Sequence, residues 1–251
     1  MKKLAMLSCV AALGAAAFAT QPLESANIVG YVTYNLTGQK QDMRGVPFLS
    51  VGSEGFDVQG IKLSNGSDGS DLIMLWDAAT REWTNLVHWN EIYENAEAEE
   101  SLGEGWGDTE GNIIRKSITP GTAFWIKSFA DTTVTVPGQV VAATDNDKIH
   151  TIGNKQDMVA GVFPTSLNVQ DISLDNGTDG SDLIMLWNPT NREWTNLVHW
   201  NEIYENPEAE ESLGEGWGDN EGNIIYQVLN PAQGFWLKTA NDCKVTFKSP
   251  L

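Results

Sequence analysis

Ten tryptophans form two matched sets, Trp76, Trp83, Trp89, Trp106 and Trp125 and, 111 positions on, Trp187, Trp194, Trp200, Trp217 and Trp236. An indole presents a flat apolar face with one N–H at its edge. Beside carboxylates it can stack on a sugar ring while the acids accept from hydroxyls. Trp106 lies in Gly103-Glu104-Gly105-Trp106-Gly107-Asp108, and Trp217 in the same hexapeptide from Gly214 to Asp219. Flanking glycines and acids predict a loop and a reachable ring there, with Glu104, Asp108, Glu215 and Asp219 as acceptors. Trp83, Trp89, Trp194 and Trp200 either extend that platform or fill a core. Trp76 and Trp125 sit inside apolar runs and read as core.

A second chemistry is cation binding. Glu91, Glu94, Glu97, Glu99, Glu100, Glu104, Asp108 and Glu110 occur without a Lys or Arg among them, and the later copy repeats the set from Glu202 to Glu221. A divalent ion with oxygen ligands would relieve their repulsion; a solvated acidic face is the plainer reading. The stretches Ser64 to Asp71 and Asp175 to Asp182 resemble calcium loops in composition. They put forward Asp68, Asp71, Asp179 and Asp182 as Ca²⁺ ligands. Neither follows the EF-hand pattern, and Asn and Gly ahead of a strand are also ordinary turn residues.

Bond-breaking chemistry has less to stand on. A glycosidase would need two acids paired across a cleft, and nothing singles out two from eight. The histidines, at 88, 150 and 199, have no accompanying metal cluster, and His88 reads as a packed strand residue. No serine elbow, phosphate loop or dinucleotide fingerprint occurs. A net charge of −19 opposes phosphate backbones and anionic lipid surfaces, so neither nucleic acid nor a membrane surface is the expected partner.

The elements that would position these residues come in two copies. Asn65 to Ile114 matches Asn176 to Ile225 at 43 of 50 positions, which reads as an internal duplication. Met1 to Ala19 reads as an export signal: Lys2 and Lys3, an apolar run from Leu4 to Phe18, and Ala17-Phe18-Ala19 for cleavage. The expected domains are residues 20–140 and 141–251, in a periplasmic or extracellular protein. Only Cys243 remains after cleavage, so no internal disulfide is expected.

Asp71 to Trp76 and Trp83 to Trp89 predict a β-hairpin, and in the second copy Asn188-Pro189-Thr190-Asn191 suits a type I turn. Alternation places Trp83, Asn85, Val87 and Trp89 on one face. Further strands are expected at Ile28 to Leu36, Ala123 to Lys127 and Thr132 to Val136, with a type II turn at Pro120-Gly121. Asn206-Pro207-Glu208, ending at Gly214, predicts one short acidic helix, with its counterpart at Ala96 to Leu102.

The opening Asn27-Ile28-Val29-Gly30-Tyr31-Val32, the strand Leu75-Trp76-Asp77, and the closing Pro120-Gly121-Thr122-Ala123-Phe124-Trp125-Ile126-Lys127 with Val134 to Val140 resemble a family of uncharacterised secreted bacterial β domains. That resemblance covers the ends of the first copy and implies an all-β secreted domain with no established activity. The expected fold is therefore all-β: two tandem β-sandwich or barrel-like domains, each with one short acidic helix. The expected function is a secreted, non-catalytic binding module for polysaccharide or cell-surface glycan. The alternative is a structural or cell-surface protein whose acidic loops hold Ca²⁺ or merely solvate.

Overall fold

The computed structural model describes residues 29–141, 148–151 and 153–248. The expected export signal and the linker at 142–147 lie outside the described residues. The fold is all-β. In the first repeat five antiparallel strands line up as Gln41–Gly45, Ala123–Lys127, Leu72–Asp77, Glu82–Trp89 and Gly105–Gly107. In the second the order recurs as Lys155–Ala160, Gly234–Thr239, Leu183–Asn188, Glu193–Trp200 and Gly216–Gly218. Both sheets keep two free edges, so neither closes into a barrel.

Period-two alternation decides which face is buried. Ile73, Leu75, Leu86, Phe124 and Ile126 point from the first five-stranded sheet toward Val32, Tyr34, Leu36, Val134 and Val136 of Val29–Leu36 and Thr132–Val140. Ile184, Leu186, Leu197, Phe235 and Leu237 meet Ile172, Leu174, Cys243, Val245 and Phe247 in the same way. Each core thus lies between two sheet layers. Cys243 is buried there, and its thiol donates to the Asn176 carbonyl at 3.0 Å.

The predicted hairpin forms in both copies, with Trp76 opposite Trp83 and Trp187 opposite Trp194. Its turn is wider than the type I turn expected. Arg192 N–H donates to the Asn188 carbonyl and Arg81 N–H to Asp77, with both arginines at φ of +61°. The turn at Pro120-Gly121 closes as expected, from Thr122 N–H to the Thr119 carbonyl, with Gly121 at φ +89°.

The acidic helices are absent. Asn95 and Asn206 do cap one turn, accepting from Glu97 N–H at 2.9 Å and Glu208 N–H at 3.0 Å. The chain then turns back, because Leu102 N–H donates to the Ile92 carbonyl and Ile92 N–H to Gly103. One turn of crowded carboxylates does not repay helix nucleation, and the loop is pinned at its base instead. The only helical pieces among the described residues are 3₁₀ turns at Val58–Gly60 and Val169–Asp171.

The repeats meet through reciprocal contacts. Trp76 Nε1 donates to the Gln156 carbonyl at 2.9 Å, and Trp187 Nε1 to the Gln41 carbonyl at 3.0 Å. Gly45 N–H donates to Ala232 and Ala160 N–H to Gly121, each at 2.8 Å. Met43 and Ala123 pack on Met158 and Ala160 at the centre. Matching residues contacting each other in both directions is the signature of a two-fold relation. At Gly45 any Cβ would overlap that of Ala160, so glycine lets the strands approach. Gly45→Val is expected to destabilise by about 1–3 kcal/mol through overpacking. In calorimetry the wild type should melt in one transition and the variant should separate into two.

Candidate functional site

The anticipated platform at Trp106 and Trp217 does not exist. These rings are 1% and 0% exposed, and their indole N–H groups donate to the carbonyls of Ile61 at 2.9 Å and Ile172 at 2.8 Å. The flanking glycines mark close packing: a Cβ on Gly107 would lie 2.6 Å from the Asn112 carbonyl oxygen. Gln59 clamps the segment, accepting from Trp106 N–H and donating to the carbonyls of Trp106 and Ile114. Gln170 does the same around Trp217. Neither ring can stack on a ligand.

The neighbouring predicted residues are tied into this wall. Glu104 and Glu215 are half-exposed, and each lies 3.0 Å from the Nε2 of a buried histidine, His88 or His199. Each imidazole stands edge-on to the buried tryptophan, 5.3 Å and 5.2 Å between ring centres. The His88 and His199 Nδ1 atoms are buried without a hydrogen-bond partner, and Nε2 is the ring nitrogen that faces the glutamate. Burial pushes the Asp108 carboxyl up, but the Asn112 side chain and the N–H groups of Asn112, Glu110 and Gly111 outweigh it and hold the group below its usual range. Asp219 is held alike by Asn223, Glu221 and Gly222. Trp89 and Trp200 are half-buried, donate to the Asp108 and Asp219 carbonyls at 2.9 Å, and pack on Gly69 and Gly180.

The candidate calcium ligands are main-chain staples. Asp71 accepts from Ser67 N–H and Phe129 N–H, both at 2.6 Å, and Asp182 from Thr178 N–H and Ala240 N–H at 2.6 Å and 2.7 Å. Asp68 and Asp179 accept from Asn90 N–H and Asn201 N–H at 2.7 Å. Both oxygens of the buried pair, Asp71 and Asp182, are thus already engaged by amides. Among the described residues no three His, Cys, Asp or Glu converge on one point.

Of the predicted tryptophans, Trp83 and Trp194 are the ones the fold presents to solvent, each 43% exposed. Neither stands alone. Trp83 packs against Trp76 at 5.0 Å and against Trp236 of the other repeat at 6.1 Å. Trp194 packs against Trp187 at 5.1 Å and Trp125 at 6.0 Å. Each aromatic trio therefore draws on both halves. Trp76, Trp125, Trp187 and Trp236, read as core, are half-buried members of these surface clusters.

Beside each trio a cleft opens between the repeats. One, of about 340 Å³, is lined by Trp187, Asn188, Thr195, Gln227 and Gln233, with Asp42 and Arg44 from the first repeat. Its counterpart, of about 290 Å³, is lined by Trp76, Asp77, Thr84, Lys116 and Thr122, with Asp157 from the second. The equivalent aspartates differ. Burial pushes Asp42 up, but the Arg44 guanidinium opposes this, with Nε 2.9 Å from Oδ2. Val159 replaces Arg44 in the other copy. Burial and the charge of Asp77 therefore carry Asp157 to about 6, with Lys155 only partly opposing. Nothing in the spacing of the chain marked these residues, because the clefts form only across the two-fold contact.

Comparison with family models, curated proteins and solved structures returns no match.

Trp106→Ala is expected to cost about 3–5 kcal/mol in urea unfolding, as for other buried aromatics, and Trp83→Ala about 1 kcal/mol or less. Folding raises the Asp157 pKa from 3.8 to about 6, so the folded chain holds the extra proton between those values and stability falls as pH rises through that window. Asp157→Asn should therefore stabilise by about 1–2 kcal/mol near pH 7.5, after allowance for solvent screening, and change little below about pH 3.5. Urea midpoints at the two pH values check this.

Proposed function

We propose that the chain is an exported, non-catalytic glycan-binding protein, built as two domains from a duplicated unit, with one site at Trp83 and a second, on the same frame, at Trp194. The observation that carries this reading is the 43% exposure of these two indoles, each backed by two further tryptophans, one edge-on and one tilted. Isolated exposed apolar side chains are ordinary; a supported, fixed aromatic face is a stacking surface. Because Trp76 and Trp187 are locked by hydrogen bonds across the repeats, little side-chain freedom is lost when a ligand arrives. The adjoining clefts supply hydroxyl, amide and carboxylate partners for a sugar's rim.

Charge narrows the ligand. At −19 the protein repels sulfated and uronate-rich polymers, leaving neutral or cationic glycans. Two sites on one chain would raise avidity toward a polymer through effective concentration.

Depletion assays with insoluble cellulose, chitin, xylan and mannan, followed by affinity electrophoresis, test the reading. The wild type is expected to be retained by at least one of them. Trp194→Ala should weaken retention about tenfold and Trp83→Ala less, with the double variant losing about a hundredfold. Trp89→Ala should leave it within about threefold. A wild type that ignores every polymer would sink the idea.

A further inference from the structure

The two clefts share a frame and differ in their polar walls. Between Asn65 to Ile114 and its copy the seven differing pairs include four in a row at positions 77–80, Asp-Ala-Ala-Thr against Asn-Pro-Thr-Asn at 188–191. These are the hairpin turns that border the clefts. Just beyond, Lys116 and Thr122 line the first cleft where Gln227 and Gln233 line the second. The tryptophan, leucine, threonine and aspartate at the base of both clefts are unchanged, Trp76, Leu75, Thr84 and Asp157 against Trp187, Leu186, Thr195 and Asp42, and in the second cleft Arg44 pairs with Asp42, so that the amides are its unpaired polar groups.

The amides of the second cleft are fixed in orientation by one end and left open at the other. Asn188 accepts from Thr190 N–H through Oδ1 at 2.9 Å, so its Nδ2 donors are available. Gln233 accepts from Asn230 N–H through Oε1 at 3.0 Å, which leaves its Nε2 donors. Gln227 donates Nε2 to the Val228 carbonyl at 3.2 Å and keeps Oε1 as an acceptor. Vicinal hydroxyls both donate and accept, and such a mixed, uncharged set matches them without bringing a net charge. In the first cleft the equivalent positions carry Asp77 and Lys116 instead, and both Asp77-bonded amides, Ala79 and Thr80, take the same oxygen.

Resting on the glycan-binding reading above, we propose that the clefts are not redundant: the cleft walled by Asn188, Gln227 and Gln233 holds a neutral sugar unit, and these three residues determine that specificity. The first cleft, with its charged wall, does not bind the same unit with comparable affinity.

Isothermal titration of the full chain with cellohexaose, xylohexaose, mannohexaose and chitohexaose tests this. One site per chain is expected for the hexaose that binds. Asn188→Asp with Gln227→Lys and Gln233→Thr, which copies the first wall into the second, should weaken it about thirtyfold while the thermal melt is retained. The reverse graft, Asp77→Asn with Lys116→Gln and Thr122→Gln, should bring the stoichiometry to two. Two equal sites in the wild type would overturn the inference. So would binding that neither graft alters, although the glycan reading would then survive, provided that Trp83→Ala with Trp194→Ala still abolishes retention. If no hexaose binds and no polymer retains the protein, both readings fall.

Discussion

The constraint on which the rest depends is the pair of indole hydrogen bonds across the repeats, Trp76 to the Gln156 carbonyl and Trp187 to the Gln41 carbonyl. Each indole N–H meets a carbonyl on the outer strand of the other sheet. Strands Gln41–Gly45 and Lys155–Ala160 would otherwise present unpaired edges, a hazard that proteins usually cover or charge. Tryptophan covers both edges here and in doing so positions Trp236 beside Trp83 and Trp125 beside Trp194. The aromatic clusters and the clefts beside them are products of the same contact.

Acidity is handled locally. Asp71, Asp182, Asp108 and Asp219 each gather backbone N–H groups, and at Asp108 and Asp219 these bonds outweigh desolvation and favour the charged form. Asp157 lacks such help and responds by moving toward neutrality. Asp42 is raised as well, but there Arg44 and the Met43 N–H oppose burial, whereas Asp157 has the like charge of Asp77 beside it. Oxygen-rich loops thus resemble ion sites in composition while serving the main chain.

The all-β class and the hairpin were legible because they rest on local alternation and turn residues, and the repeat because its copies match in sequence. Trp83 stood open between a surface platform and the core, and the fold leaves it 43% exposed. Trp106 misled because Gly-Trp-Gly has two physical causes, an open loop or a strand so crowded that only glycine fits, and composition does not separate them. The acidic helix misled because an N-cap and a proline describe how a helix starts, whereas its survival depends on length. The clefts were invisible for a different reason: their walls combine residues of both repeats that are distant along the chain. The run of mismatches at 77–80 between otherwise matching copies was the available signal.

A surface that is its own complement would join two identical molecules as readily as two segments of one. In a pair of identical molecules every amino-acid change appears twice, so one recognition pocket cannot be adjusted without altering its twin. Carrying both copies on one polypeptide removes that coupling, and Asp77 can stand opposite a partner different from the one Asn188 meets. The tether between the halves thereby turns symmetry from a limitation into a scaffold, with a common architecture and two independently evolvable ends.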